Sequence, residues 1–483
     1  MAQTPKDKPS SVKIPYLPAE LILEIFERIV PRHVSDERGF VQALPTLYGL
    51  SLTSRRINKL VEPYLYRAFH QLDNESLRKV FMTTLTKRPD LREHVRHVFA
   101  SKFTERQDNS WVFIPPLLAL TTHITHLKLL SPYERDVGLC SLLCDILGGQ
   151  PLPGQRRTEY PFIEYPFIEY PFLRFVSYQA PNYGFRAVTS IALRLRALEV
   201  LEIREANESG HRWDWEETYP YNASLKELRF IQSRVAPALL EELLGENEWV
   251  ERLYLDYSHS RLMKALARND FRRLPSALRA VSDSLTSLKI TAPDHPVKGG
   301  PWFTPGINSK RLTSLTHLHN LTTLHVPDFL VPCVKDMMLR DFLPRSIERL
   351  QLDTIDVTTL QNKLTGLILG TGTFDMDWSS KPFRLRHFTP GDFLPAFREI
   401  TIRTHFALDH KDDNSNGGDW GHCQDEFIMT SSLQELATKA NITLKIIRVE
   451  TFKEYDDLVD YQASSSSSSN SSSSLRGNLS SST

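Results

Sequence analysis

Short apolar triplets of the form LxxLxL recur along most of the chain and constrain its fold more than any other feature. In each triplet, an apolar residue is followed three and five positions later by two more. The clear copies are Ile124–Leu127–Leu129, Leu198–Leu201–Ile203, Leu225–Leu228–Phe230, Val250–Leu253–Leu255, Leu285–Leu288–Ile290, Leu321–Leu324–Val326, Ile347–Leu350–Leu352 and Phe397–Ile400–Ile402. Weaker copies are Val95–Val98 and Ile442–Leu444–Ile446. The alternation at the end of each triplet is typical of a short strand with one buried face.

The spacing of the triplets predicts how the strands are connected. From Leu198 to Ile347, successive triplets begin 27, 25, 35, 36 and 26 residues apart, with helical stretches between them at 236–244 and 261–267. A strand followed by a return helix of this length is the unit of a leucine-rich-repeat solenoid. The alternative is an ordinary α/β domain with apolar strands, which the recurrence disfavours. We therefore expect residues 72–460 to form an irregular α/β solenoid of parallel strands plus helices.

Several departures predict that the repeats are irregular. The Asn or Cys that usually follows the strand is replaced, for example by Ser233 and Ser258, so we expect no ladder of buried asparagines. The intervals 124–198 and 347–397 are too long for one unit, and each should contain a degenerate repeat or a loop. Residues 160–172 repeat the sequence Tyr-Pro-Phe-Ile-Glu. Its prolines predict an extended loop, with partner binding by the aromatic side chains as the alternative.

The sequence before the triplets has a helical pattern. Apolar residues fall at helical spacing over 21–30, Pro18 suits the first turn of a helix, and Pro31 should end it. A later helix is expected to begin after Ser54, which is a good N-cap residue. Because proline removes a backbone donor, Pro63 predicts a break of this later helix into two short ones.

Composition excludes several classes of function. The chain has 58 Lys+Arg and 58 Asp+Glu residues, so binding of nucleic acid or of a membrane surface through bulk positive charge is not expected. Four scattered cysteines and a polar N-terminus favour an intracellular protein, cytoplasmic and/or nuclear, without a membrane span. Thirteen of the last twenty residues are serine. We expect residues 1–13 and 461–483 to be disordered.

No catalytic or metal-binding motif is complete. Glycine-rich phosphate loops and the GxSxG, HExxH and CxxC motifs are absent. Cys140 and Cys144 are expected to be buried thiols, and 412–417 resembles half of an EF-hand loop but has Cys423 where the bidentate Glu should stand. Histidines near the triplets are expected to be polar solenoid positions: His94, His97, His123, His126, His317, His319 and His325. We expect no enzyme, cofactor or metal, the alternative being an active site assembled from distant residues.

Residues 14–71 resemble an F-box. The resemblance lies in residues 17–21 (LPAEL), in Ile25-Phe26 and in residues 50–57 (LSLTSRRI), while residues 62–67 (EPYLYR) look like the version common in fungal F-box proteins. The link between Val30 and Leu47 is longer than the family's usual one. The resemblance implies a small all-α domain of about three helices. An F-box followed by leucine-rich repeats resembles a substrate receptor of a Skp–cullin–F-box ubiquitin ligase.

The resemblance also implies partners and contact residues. The F-box would dock a Skp-type adaptor and, through it, a cullin, while the repeat domain would bind an unknown protein substrate. The expected adaptor contacts are Leu17, Pro18, Leu21, Ile25, Phe26 and Leu52, with burial in the helical core as the alternative for each. Such a receptor has no turnover of its own, because it acts by holding a substrate lysine near charged ubiquitin. The alternative function is a leucine-rich-repeat interaction scaffold with no cullin-dependent role.

Substrate contacts are expected on the outward side of the strands, between the apolar residues. The main candidates are Arg229, Tyr254, Lys289, His325 and Gln351, with Lys128, Glu202 and Thr401 at equivalent positions. Their mixed charge indicates no electrostatic preference. A second candidate patch is formed by Trp213, Trp215 and Tyr219, since exposed aromatic residues often anchor partners.

Overall fold

The chain forms two compact units, which we call the first and the second unit. The structure, a computed structural model, describes residues 17–30, 37–70, 75–100, 113–130, 170–179, 189, 192–206, 222–233, 235–257, 271–291, 312–331, 342–354, 368, 372–377, 384–390, 394–407 and 431–451. The first unit is Met1–Val235 with Glu246–Val250, and the second is Ala236–Gly245 with Glu251–Thr483. Within the described residues, no helix is both long and apolar enough to span a bilayer.

Helices dominate the start of the first unit. They are α1 (Ala19–Ile29), α2 (Glu37–Ser51), α3 (Arg55–Leu65), α4 (Glu75–Lys87) and α5 (Ile114–Leu120). Ser54 caps α3 as predicted, because its Oγ accepts a hydrogen bond from the backbone N–H of Ile57 at 3.1 Å. The predicted break at Pro63 is wrong. Pro63 lies in the last turn, where the Tyr66 N–H still donates to the carbonyl of Glu62 at 3.2 Å, so the helix continues to its end.

Six parallel strands form the sheet of the first unit in the part of the chain that the structure describes. They are β1 (Ala68–His70), β2 (His97–Ala100), β3 (His126–Leu129), β4 (Phe175–Gln179), β5 (Val200–Arg204) and β6 (Glu227–Ile231). Each pairs in parallel with the next strand of the unit. Their register aligns one buried apolar residue from every strand into a row: Phe69, Val98, Leu127, Val176, Leu201 and Leu228.

The second unit repeats this arrangement. Its helices are α6 (Pro237–Gly245), α7 (Leu274–Ala277) and α8 (Ser431–Lys439). Its parallel strands are β7 (Arg252–Asp256), β8 (Ser287–Thr291), β9 (Thr323–Pro327), β10 (Arg349–Thr354), β13 (Glu399–Ala407) and β14 (Thr443–Thr451). A separate antiparallel pair comprises β11 (Gly372–Asp377) and β12 (Arg384–Pro390). The buried row here contains Leu253, Leu288, Leu324, Leu350 and Ile400.

These parallel strands with helices between them confirm the predicted α/β, solenoid-like fold. The last two residues of every clear triplet lie on a strand, and α6 confirms the helix expected at 236–244. The long interval 124–198 contains the extra strand β4, and 347–397 contains the β11–β12 pair. Other predictions lie outside the described residues: the termini, the helix at 261–267, most of the 160–172 repeat, Cys140, Cys144, Trp213, Trp215, Tyr219, Ser258 and the 412–423 loop.

Buried polar side chains connect neighbouring repeats of the first unit, and one of them, Ser233, stands where the usual repeat has Asn or Cys. Ser233 is 1% exposed, and its Oγ accepts from the N–H of Ala206 at 3.0 Å and donates to the carbonyl of Ile231 at 2.8 Å. Asn222 lies before its strand, and its Nδ2 donates to the carbonyl of Leu195 at 3.0 Å. A backbone group that the sheet leaves without a partner is thereby satisfied inside the first unit.

Replacement of Ser233 should therefore destabilise the first unit. In Ser233→Ala, the buried Ala206 N–H loses its acceptor, and we expect the free energy of unfolding to fall by about 1–3 kcal/mol. Urea unfolding followed by circular dichroism measures this loss. The control is Thr83→Ala on the exposed face of α4, which should change stability by less than about 0.5 kcal/mol. Equal stability of the two variants would contradict the bridging role of Ser233.

Candidate partner-binding surfaces

The first three helices pack into one hydrophobic core that continues into the sheet of the first unit. The buried members of this core are Ile22, Phe26, Val30, Phe40, Leu47, Val61, Ala68 and Phe99. The ring of Phe26 contacts that of Tyr64 edge-on, with centroids 5.6 Å apart. Strand β1 lies inside the range 14–71 expected for the helical segment, yet it pairs with β2. The helices and the first strands are therefore packed together.

The outer side of α1 and the turn after α2 expose apolar side chains, which we call the apolar helix surface. It comprises Leu17, Leu21, Ile25 and Leu52, which are between 45% and 70% exposed. Leu21 and Ile25 are four residues apart and so share one side of α1, while Leu17 lies just before the helix. Pro18, at the N-cap of α1, is exposed as well. Five of the six residues expected to contact an adaptor thus reach solvent.

Phe26 is the exception among the six. It is 1% exposed and packs against Tyr64, so the prediction that it contacts a partner directly is wrong. Helix α1 is apolar on two sides, and Phe26 belongs to the side that includes Ile22 and faces the core. Helical periodicity locates both sides but does not say which one is covered by the rest of the chain.

Hydrogen bonds hold the two parts of the apolar helix surface in place. The guanidinium of Arg56, in the first turn of α3, donates to the carbonyl of Leu17 at 3.0 Å. In the turn that carries Leu52, the hydroxyl of Thr53 donates to the carbonyl of Leu50 at 2.7 Å. These contacts bring the start of α1 beside the start of α3, and so near the turn that presents Leu52.

Sequence reasoning missed further exposed apolar residues on α2. Val41 and Tyr48 are 47% and 61% exposed, and Pro45 between them is exposed too. Together with Leu52 they are spaced by four, three and four residues, which is the spacing of one helix face. This signal was present in the sequence but lay in the stretch interpreted as a long link.

The outward side of the second unit aligns four of the five main substrate candidates. The strand register places Tyr254 beside Lys289, Lys289 beside His325, and His325 beside Gln351, in one row across four strands. The ammonium of Lys289 lies over the ring of Tyr254, 4.5 Å from its centroid. Thr401 continues the row on the next strand but is buried.

His325 does not present its side chain to solvent, which corrects its assignment as a substrate contact. It is 5% exposed, and its Nε2 lies 2.7 Å from a carboxylate oxygen of Asp353 and 3.2 Å from the Nε2 of Gln351. Asp353 also lies 3.8 Å from the guanidinium of Arg403. The imidazole therefore belongs to a hydrogen-bonded group within the sheet face, and Tyr254, Lys289 and Gln351 remain as partly exposed candidates.

Arg229, the fifth main candidate, belongs to a charged network in the first unit. The carboxylate of Glu202 is buried and accepts hydrogen bonds from Ser177 at 2.9 Å, Arg204 at 2.7 Å and Arg229 at 3.4 Å. Burial alone would raise the pKa of Glu202, but these partners hold it below its usual value. Lys128 lies in the same row as Ser177. Arg204 and Arg229 are thus paired with carboxylates around Glu202.

Aromatic and histidine rings pack on the outward side of β1–β3 and form what we call the ring cluster. It contains His70, His97, His126, Phe40 and Phe99. The centroids of His97 and His126 are 5.0 Å apart, as are those of His70 and Phe99, while Phe40 of α2 lies 5.5 Å from His70. These histidines were expected to be polar solenoid positions, and the structure shows that one of them, His97, is buried, at 4% exposed. Helix α2 covers it.

Burial in the ring cluster keeps two imidazoles neutral. Burial lowers the pKa of His97 to about 3, with further contributions from nearby His126, Arg67, His70 and Arg96. It lowers that of His126 to about 4, with contributions from Arg174 and Arg67. Within the residues that the structure describes, no group of three or more His, Cys, Asp or Glu side chains is arranged to hold a metal ion.

Comparison with known proteins adds no relative. No protein-family model matches the chain, and no curated protein matches its sequence significantly. The interpretation of these surfaces therefore rests on their own residues.

The ring cluster should make the first unit less stable in mild acid. In the unfolded chain, His97 binds a proton below its ordinary pKa of 6.5, whereas in the folded chain it stays neutral to about pH 3. The unfolded state then binds more protons, so this contribution is complete above about pH 7 and is lost as the pH falls below 6.5. The loss approaches about 1.4 kcal/mol per pH unit for a fully shifted histidine.

Urea unfolding at pH 7, 6 and 5 measures this dependence. In His97→Gln the slope of the unfolding free energy against pH should decrease by about 1 kcal/mol per unit. The control is Thr83→Ala on the exposed face of α4, which removes no titratable group and should keep the wild-type slope. An unchanged slope in His97→Gln would show that the folded imidazole already accepts protons near its ordinary pKa.

Proposed function

We propose that the chain is the substrate-recognition subunit of a Skp–cullin–F-box ubiquitin ligase. In this proposal, helices α1–α3 act as an F-box that docks a Skp-type adaptor and, through it, a cullin. The outward faces of the leucine-rich-repeat-like strands bind a protein substrate. The chain has no catalytic role, because the ligase accelerates transfer by holding a substrate lysine close to charged ubiquitin.

The observation that carries the proposal is the apolar helix surface. A helix that only capped the sheet would need one buried side, which Ile22 and Phe26 already provide. Leu21 and Ile25 lie on a second apolar side that nothing among the described residues covers. Because these side chains are already about half buried, covering each is worth about 1 kcal/mol, and an amphipathic groove on a partner would bind this surface favourably.

The residues that carry the F-box resemblance are organised as such a docking unit requires. Residues 17–21 begin α1, and residues 50–57 contain the turn and the start of α3. The bond from Arg56 to the Leu17 carbonyl links these two stretches. A preorganised surface loses less side-chain and backbone entropy on binding than a mobile one.

Adaptor capture tests the proposal directly. The full chain is co-expressed with a Skp-type adaptor, and its co-purification is compared with that of Leu21→Asp/Ile25→Asp, which places two charges on the exposed side of α1. We expect the double variant to lose capture by at least about tenfold, because burying two unpaired carboxylates is strongly unfavourable. The matched control is Leu77→Asp/Val80→Asp on α4, where both residues are also exposed, at 49% and 61%.

The control variant should retain capture, and circular dichroism should show that both variants are folded. A wild-type chain that does not capture a competent adaptor would overturn the ligase proposal and favour an interaction scaffold without a cullin-dependent role. Equal loss in the two double variants would indicate a general effect of added negative charge, which also contradicts a specific docking surface on α1.

A further inference from the structure

We infer that the outward strand face of the second unit binds an extended acidic segment of a partner protein. This inference rests on the proposed function, because it assigns a chemical class to the substrate. It goes beyond the individual candidate positions, whose mixed charge indicated no preference. The new information is the register of the strands, which shows which other side chains share this face.

Basic residues outnumber acidic ones on the face that the register defines. Its described cationic side chains are Arg252, Lys289, Arg349, Arg403 and Lys445, and its carboxylates are Asp256, Asp353 and Glu399. This strand face therefore carries five positive and three negative charges, without counting His325. Arg252, Arg349 and Lys445 are exposed, so positive charge is what a partner approaching this face meets first.

The three carboxylates are held close to the sheet by internal contacts. Asp256 is 7% exposed and accepts a hydrogen bond from the hydroxyl of Thr291 at 2.7 Å. Asp353 lies 2.7 Å from His325, and Glu399 lies 2.9 Å from the ammonium of Lys445. Because these acids are engaged within the face, they oppose an incoming anion less than exposed carboxylates would.

The equivalent face of the first unit differs and provides an internal comparison. There the arginines bond directly to carboxylates: Arg204 and Arg229 donate to Glu202, and Arg229 also donates to Glu227. The charges are paired within hydrogen-bonding distance. With Lys128, this face carries three cations and two carboxylates, so its basic excess is one charge, against two on the face of the second unit.

The spacing of the cations fits an extended chain that crosses the strands. Arg252 and Arg349 lie in one register row, separated by the strands that carry Ser287 and Thr323. Three strand spacings correspond to about 14 Å, which four residues of extended chain also span. Residues i, i+2 and i+4 of such a chain share one side. Acidic residues at alternate positions would therefore reach Arg252, the region of Lys289, and Arg349.

A peptide titration of the full chain tests this inference. The probe is a fluorescein-labelled peptide of about nine residues with the central sequence Glu-Ser-Glu-Ser-Glu, and the comparison peptide carries Gln in place of each Glu. Fluorescence anisotropy should show that the Glu peptide binds about tenfold more tightly, and that this preference weakens with added salt. Arg252→Glu/Arg349→Glu should remove the preference. Lys226→Glu/Arg174→Glu changes the charge of exposed first-unit positions equally and should keep it.

The outcomes separate this inference from the proposed function. Equal binding of the Glu and Gln peptides, no binding of the Glu peptide, or an unchanged preference in Arg252→Glu/Arg349→Glu each overturns the acidic-segment inference. Tighter, Arg252- and Arg349-dependent binding of a fluorescein-labelled oligo-dT would overturn it in favour of a nucleic-acid surface. Adaptor capture by Arg252→Glu/Arg349→Glu, measured in parallel, tests the ligase proposal alone, because these residues lie outside the apolar helix surface.

Discussion

Both units depend on a row of apolar side chains that parallel strands bury against one another. In the first unit, Leu201 lies between Val176 and Leu228, and all three are almost completely buried. Because a parallel strand cannot turn directly into its neighbour, every strand needs a crossover segment of its own. The buried row therefore has to be regular, while crossover length and the outward side chains are free to vary. The uneven spacing of the triplets reflects this freedom.

The freedom of the outward positions gives the two units different surfaces. In the first unit, a helix and a set of rings cover β1 and β2, and the later strands pair arginine with glutamate around Glu202. In the second unit, cations such as Arg252 and Arg349 are exposed, while Asp256 and Asp353 are drawn into contacts within the face. One backbone arrangement thus supports two faces that differ in how far their charges are paired and in their basic excess.

Helix α1 has one apolar side in the core and a second apolar side that is exposed. Ile22 and Phe26 complete the core with α3 and the first strands, while Leu21 and Ile25 point away from it. A helix that is apolar on two sides is poorly soluble unless something covers the second side. The hydrogen bond from Arg56 to the Leu17 carbonyl fixes this surface relative to α3.

The local sequence pattern predicted the strands and helices to different degrees. The alternation in the triplets predicted the strands correctly, because the side-chain period of a strand is a local property. The pattern was harder to recognise at β4, whose triplet Leu173–Val176–Tyr178 stands alone in a long interval. Pro63 was expected to break α3, but a proline in the last turn removes only a hydrogen bond that the helix can lose.

The sequence by itself determined the parallel repeat, the helical start of the chain and the presence of apolar residues on α1. Tertiary structure decided which side chains are covered. Phe26 was expected to contact a partner and lies in the core. His325 lies on the outward face as expected but is buried against Asp353. Tertiary structure also placed Arg252 and Arg349, which are far apart in the chain, in one register row across four strands. Periodicity specifies the face of an element, whereas burial and charge balance depend on what packs against that face.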